Sequence, residues 1–258
     1  PGRGTIGLIT YMRTDSTRVS AEALSAVREL IERRYGRESL PDAPRYFKGR
    51  RDTQDAHEAI RPTDLDLPPE AVAPHLAPEE GRLYRLIWER FVASQMAPAV
   101  YDTVVADIEA GPAVYRASGS TLKFAGYLAA YGVEVGEEDE GEAEGSTKLP
   151  PLVQGETLRL LAIKPERKQT QPPPRYNEAS LVKFLEENGI GRPSTYAEIL
   201  RKIEDRAYVR KKERRFIPTP LGRLVVDLML EGFDDFFETG YTARMEEELD
   251  EVEEGSLD

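Results

Sequence analysis

Residues Asn177–Ile217 read NEASLVKFLEENGIGRPSTYAEILRKIEDRAYVRKKERRFI, and their punctuation decides the fold. Asn177 is a good N-cap, and Leu181, Val182 and Leu185 follow at helical spacing until Gly189 ends the run. A turn, Gly189-Ile190-Gly191-Arg192-Pro193, comes next, and Ser194 or Thr195 then starts a second helix reaching Asp205. Tyr208-Val209-Arg210 and Arg215-Phe216-Ile217 flank a charged turn and predict a hairpin. Thr219, with Pro220 at the first helical position, opens an apolar helix over Leu221–Leu230. Helix, tight glycine turn, helix, basic hairpin is the order of a helix-turn-helix with a wing.

The charges of this stretch point to a polyanion. Arg201, Lys202, Arg206, Arg210, Lys211, Lys212, Arg214 and Arg215 lie within fifteen residues against three acids, with Tyr208 and Phe216 interleaved. Such density neutralises phosphates, although a solvated helix and hairpin turn reads the same way. Arg192 beside a helix N-terminus carrying Ser194 and Thr195 adds a phosphate cradle of orphan N–H groups, hydroxyls and a guanidinium. The formal net charge of −12 does not oppose this. Seven acids fall in Glu134–Glu144 and eight in Glu246–Asp258, blocks of the kind that form solvated loops or tails. The remaining 32 acids face 35 bases, a mildly basic balance.

Composition bounds the class. With 258 residues the chain holds about two domains and a substantial core. No apolar run approaches the roughly 18 residues of a membrane span, and no signal peptide is evident. There are no cysteines and two histidines, His57 and His75, so neither a disulfide framework nor a Cys- or His-rich metal site is expected. A cytoplasmic protein is the default. The chain opens on Pro1-Gly2 and stops inside an acidic, helix-forming stretch, which reads as a fragment.

Three segments are expected in an α+β multidomain fold: 1–97, 98–170 and 171–258. In the first, Gly7–Tyr11 is β-prone, and Ser20 caps a helix bearing Leu24, Val27, Leu30 and Ile31 that Gly36 closes. Residues 37–53 read as an ordered loop, and a helix from Pro78 to Met96 carries a stripe of Leu83, Ile87 and Phe91, with Leu86 and Trp88 beside it, before Pro98. In the second, Tyr101–Ile108, Ala113–Ala117, Thr121–Phe124 and Glu156–Ile163 predict a small antiparallel sheet with a long acidic insertion. Pro172-Pro173-Pro174 forms a stiff connector.

Two further stretches carry possible chemistry. In Thr10-Tyr11-Met12-Arg13-Thr14-Asp15-Ser16, a strand would put Tyr11 and Arg13 on one face. A tyrosine hydroxyl ordinarily titrates at about 10, and a neighbouring guanidinium favours phenolate and stabilises charge on a phosphate under attack. Asp15 and Ser16 would hold the arginine or cap a turn. Tyr11 is one of twelve tyrosines, so packing stays open from spacing alone. In Gln54–Thr63, His57 sits with Glu58 and Arg61, suited to proton transfer, phosphate binding or a structural hydrogen bond. HExxR is not the zinc-binding HExxH pair, and His75 carries no signal.

Taken together, GLITYMRTDST (Gly7–Thr17), AHEAIRPT (Ala56–Thr63) and EASLVKFLEENGIGRPSTYAEIL (Glu178–Leu200) with DRAYV (Asp205–Val209) resemble the bacterial type IA DNA topoisomerases, in order and in spacing. The resemblance implies the central part of that fold, with helical CAP- or winged-helix-like domains and a small antiparallel β arch. It implies Tyr11 as the nucleophile that forms a 5′-phosphotyrosine in single-stranded DNA, with Arg13 and His57 at the scissile phosphate. Arg192, Ser194, Thr195, Arg206, Asp15 and Arg61 are placed on DNA. ATP-independent cleavage, strand passage and religation would relax negative supercoils, in a monomer acting on underwound duplex at the nucleoid. The family's acidic Toprim module, which holds Mg²⁺, lies upstream of the tyrosine and has no counterpart in these residues, so this chain is expected to bind no metal and not to relax DNA alone. The competing readings are a non-enzymatic winged-helix DNA-binding protein and, within the family, topoisomerase III or the topoisomerase part of reverse gyrase.

Overall fold

A computed structural model describes residues 6–14, 16–47, 57–135, 149–237, 239–253 and 255–256, apart from the side chains at 234, 235, 239 and 253. They form two compact units, within 1–164 and 165–258.

In the first unit, helix α1 (Ala21–Tyr35) starts where Ser20 Oγ accepts the Ala23 N–H and ends where Gly36, at φ +87°, gives its N–H to Glu32 C=O. Leu24, Val27, Leu30 and Ile31 are buried, as their spacing requires. A short helix α2 (Pro69–Val72) precedes α3 (Pro78–Ser94). The buried face of α3 is Tyr84, Trp88, Phe91 and Val92, not the expected Leu83–Ile87–Phe91 stripe, and Leu83 is half exposed. Both stripes fit a 3.6-residue period and share Phe91. The aromatic one wins because Tyr84 Oη donates to Leu67 C=O at 2.7 Å and the Arg34 guanidinium lies 5.2 Å over the Trp88 ring. Helix α3 also stops at Ser94, short of the expected Met96.

The freed residue Gln95 is buried and acts as a piece of strand. Its Oε1 accepts the Arg45 N–H and its Nε2 donates to Arg45 C=O, both at 3.0 Å. With Arg28 bonded to Pro41 C=O at 2.8 Å, this orders the loop after α1 through Phe47. The remainder of that expected loop, 48–53, lies outside the described residues.

Strands β1 (Val100–Ala110) and β2 (Ala113–Phe124) form one antiparallel hairpin, with Val104 opposite Gly119 and Asp107 opposite Arg116. The two separate runs expected over Ala113–Phe124 merge, because β1 runs unbroken opposite Ser118-Gly119-Ser120 and pairs their backbone. Arg116 binds Asp107 through two bonds of 2.7 and 2.9 Å and holds its carboxyl below the usual aspartate range. The fourth expected strand, Glu156–Ile163, is not one. Its residues are exposed, Glu156 N–H makes only a turn bond to Val153 C=O, and among the described residues no strand pairs with them, without which β-prone side chains do not make a strand. The chain returns from β2 to α3 through a 3₁₀ turn, Gly126–Tyr131, which buries Ala130 in the α1–α3 core.

In the second unit, α4 (Glu178–Glu187) begins with a reciprocal cap. Asn177 Oδ1 accepts the Ser180 N–H at 2.7 Å while Ser180 Oγ accepts the Asn177 N–H at 2.8 Å. Helix α5 (Tyr196–Asp205) leads into the hairpin of β3 (Val209–Lys212) and β4 (Arg215–Pro218). Helices α6 (Pro220–Gly232), α7 (Asp234–Phe237) and α8 (Thr239–Glu253) complete the unit. The start of α6 is pressed onto the chain after α5: a Cβ on Gly222 would lie 2.1 Å from Tyr208 C=O, so only glycine fits. Among the described residues no helix is long and apolar enough to cross a membrane.

Helix α5 ends in a Schellman motif, with Ala207 N–H bonded to Glu204 C=O and Tyr208 N–H to Ile203 C=O. Ala207 sits at φ +55°, where glycine is favoured. Ala207→Gly is expected to stabilise the unit by about 1 kcal/mol, read as an increased urea midpoint; an unchanged or lower midpoint contradicts this account of the helix end.

Candidate active site

The β-prone run Gly7–Tyr11 does not extend as a strand through Arg13. Ile9 forms a single antiparallel bridge with Pro62, and beyond Thr10 the chain turns, with Arg13 N–H donating to Tyr11 C=O at 3.1 Å. The period-two argument for Tyr11 and Arg13 therefore does not apply. The sharing of a site comes instead from pairing with the histidine segment. Thr10 N–H donates to Arg61 C=O at 2.9 Å and Thr63 N–H to Leu8 C=O at 3.0 Å.

Side-chain hydroxyls complete the seam. Thr10 Oγ1 donates to Ala59 C=O and accepts the Arg61 N–H, both at 3.0 Å. Ser16 Oγ donates to His57 C=O at 2.7 Å, Thr63 Oγ1 to Gly7 C=O at 2.6 Å, and Ala59 N–H to Arg18 C=O at 2.8 Å. Leu8, Ile9 and Val19 pack against the α1–α3 core, so the seam rests on a rigid base.

The result sets two rings side by side. Tyr11 is 76% exposed, and its ring centroid lies 6.0 Å from that of His57 at an interplanar angle of 32°. A large aromatic on the surface beside a histidine is not packing a core. The Nδ1 of His57 is buried, and no described residue gives it a partner. Arg13 is half-buried. Arg61 is turned inward: Nε and NH2 bond Glu58 Oε2 at 3.1 and 2.8 Å, and NH1 donates to Pro62 C=O. Asp15 and Gln54–Ala56 lie outside the described residues. Among the described residues no three His, Asp or Glu side chains gather as a metal site requires.

The cationic surface belongs to the second unit. Gly191, at φ +76°, lets the turn between α4 and α5 close; a Cβ there would lie 3.0 Å from Thr195 Oγ1. Thr195 Oγ1 accepts the Arg192 N–H at 2.9 Å and donates to Arg192 C=O at 3.0 Å, so this hydroxyl fastens the turn. Ser194 is exposed, and Arg206 is exposed at the C-cap of α5. Arg192 is held by α8: NH2 donates to Asp250 Oδ2 at 2.6 Å and to Glu246 C=O at 3.0 Å, while NH1 approaches Glu246 Oε2 at 3.4 Å. That hydrogen bond with Asp250 is the main reason its pKa is raised further.

The hairpin exposes Arg210, Lys211, Lys212 and Arg214, with Lys211 tied to Glu178 and Glu204, 2.7 Å from each, and lying over the Phe216 ring. At its tip Glu213 and Arg214 both have positive φ, the geometry of a type I′ turn that usually takes Asn-Gly.

The sequence did not single out Thr10, Glu246 or Asp250, and it gave Ser16 to Arg13 or a turn where the structure gives it to His57 C=O. The i,i+4 spacing of Glu246 and Asp250 was the available sign that two of the acids in the C-terminal block share a helix face.

The first unit seams an exposed tyrosine to a histidine segment, and the second carries two helices joined by a glycine turn and followed by a basic hairpin. The chain belongs to the DNA topoisomerase family, whose model matches residues 5–258. The resemblance to the bacterial type IA enzymes is thereby borne out. Among solved structures, full-length topoisomerase I from Thermotoga maritima is similar at 38% identity and a TM-score of 0.79, over 98% of this chain and 40% of that one. The chain thus spans two fifths of that protein's length.

Thr10→Val removes the hydroxyl without changing shape and strands the Arg61 N–H and one acceptor. We expect a loss of about 1–2 kcal/mol in urea unfolding, largely restored by Thr10→Ser; a Thr10→Val protein as stable as the wild type contradicts the seam.

Proposed function

We propose that this chain carries the strand-cleaving tyrosine of a bacterial type IA DNA topoisomerase, which in its intact form relaxes negative supercoils without ATP. The observation that carries the reading is the exposed Tyr11 ring 6.0 Å from His57, both fixed by the Leu8–Thr10/Arg61–Thr63 seam.

The Tyr11 Oη attacks the phosphorus of a single-stranded DNA phosphodiester. The new O–P bond forms as the P–O3′ bond breaks. The phenol loses its proton and the departing 3′ oxygen gains one, leaving a 5′-phosphotyrosine and a 3′-hydroxyl. One ester replaces another, so resealing by the 3′-hydroxyl needs no nucleotide hydrolysis, and a strand passes through the gap before it closes. Arg13 stabilises the charge on the attacked phosphate, and His57 hydrogen-bonds the same group. Arg61, tied to Glu58, fixes the segment that presents His57. Arg192, Ser194 and Arg206 hold the DNA backbone with the cations of the hairpin, while Thr195 fastens the turn that carries Arg192.

We assign the Mg²⁺ of the intact enzyme to a Toprim module. The described acids of this chain do not gather as a metal site requires, so no step here runs through the ion. The enzyme acts as a monomer on underwound DNA at the nucleoid. A winged-helix regulator would use residues 177–217 alone and gives no reason for the seam between Tyr11 and His57.

The test is Tyr11→Phe in the intact enzyme. The ring is exposed, so folding is expected to change by less than about 0.5 kcal/mol. The covalent adduct with a single-stranded oligonucleotide, trapped in denaturing gels, falls to background while single-strand binding is retained. Adduct persisting in the variant removes Tyr11 from the role.

A further inference from the structure

We infer that Glu246 and Asp250 of α8 form a carboxylate latch that competes with nucleic-acid phosphate for Arg192; this rests on the reading that Arg192 meets a DNA backbone. A guanidinium can grip a phosphate with two parallel bonds along either of two edges, the NH1/NH2 end or the Nε/NH2 side. NH2 is common to both edges. Here both NH2 donors are spent, one on Asp250 Oδ2 at 2.6 Å and one on Glu246 C=O at 3.0 Å. NH1 is spent on Gly191 C=O at 3.1 Å and faces Glu246 Oε2 at 3.4 Å. Neither edge can take a phosphate until α8 lets go.

Charge points the same way. Two carboxylates facing one guanidinium leave the latched cluster with a net negative charge, which repels phosphate at the position where the family motif puts an arginine. The latch is not a fortuitous surface pair. Glu246 and Asp250 are one helical turn apart and face the same side, the Arg192 side chain is 35% exposed, and Thr195 clamps the turn from which it projects. Affinity for a strand is then lowered by the fraction of molecules that are latched, and a bound strand releases α8 from the turn.

The test measures binding of the chain to a labelled oligothymidylate by fluorescence anisotropy at low salt. Asp250→Asn keeps the shape and removes the charge, so binding is expected to tighten about fivefold. Glu247→Gln removes the same charge from an exposed position on α8 and controls for long-range repulsion; its effect is expected to stay below about twofold. In an Arg192→Gln background the advantage of Asp250→Asn over Glu247→Gln disappears. Glu246→Gln provides the same test if Asp250→Asn does not fold. An Asp250→Asn effect equal to that of Glu247→Gln, weaker binding, or an advantage that survives in Arg192→Gln overturns the latch while leaving the proposed function standing. If neither the wild type nor Asp250→Asn binds, the assignment of Arg192 to a DNA backbone fails, and the latch with it.

Discussion

Two main-chain hydrogen bonds, Thr10 N–H to Arg61 C=O and Thr63 N–H to Leu8 C=O, join segments about fifty residues apart, and the whole candidate site hangs on them. Neither segment makes a strand of any length. A single bridge at Ile9–Pro62 is weak alone, because two short extended pieces gain little pairing energy in water. It is held by what surrounds it: the Thr10 hydroxyl bonded on both sides, Ser16 on His57 C=O, and Leu8, Ile9 and Val19 packed on the α1–α3 core. Backbone pairing fixes direction more tightly than side-chain contacts do, which suits the proposed attack of the Tyr11 hydroxyl on a phosphorus from one side.

The division of labour follows from that seam. The core of α1 and α3, with Trp88, Ile31, Val27 and Val92 fully buried, is a platform with no chemistry of its own. Tyr11 and His57 sit at its edge, where the Tyr11 ring is exposed. Positioning of this kind supplies rate through orientation, provided that the supporting shell does not yield. In the second unit the same logic applies to a turn. Gly191 allows it to close, Thr195 fastens it, and Arg192 projects from it toward the acids of α8.

Much of this was legible in the sequence because it is local. Caps at Ser20, Asn177 and Thr219, the glycine stops and the basic hairpin depend on residues a few places apart, and the observed helices and turns follow them. What was hidden depends on distant partners. The face of α3 was ambiguous between two stripes until Leu67 and Arg34 came against it. Glu156–Ile163 has the composition of a strand, but composition does not provide a neighbour. Gln95 gives no hint in its own surroundings that it will pair with Arg45. Thr10 is one β-branched residue among several, and only the Ala59–Arg61 backbone opposite it makes its hydroxyl matter. The acids of α8 read as a solvated tail because their partner lies 54 and 58 residues away.

Glu246 and Asp250 face Arg192, and under the proposed latch part of the chain's negative charge governs access to phosphate instead of merely solvating a surface. The account as a whole stands on which atom takes the DNA. The direct measurement is peptide mapping by tandem mass spectrometry of the covalent adduct formed by the intact enzyme, after nuclease trimming and trypsin digestion. The account predicts a nucleotide phosphate on Tyr11 in the peptide Gly4–Arg13. The modification on any other residue, with that peptide unmodified, contradicts it.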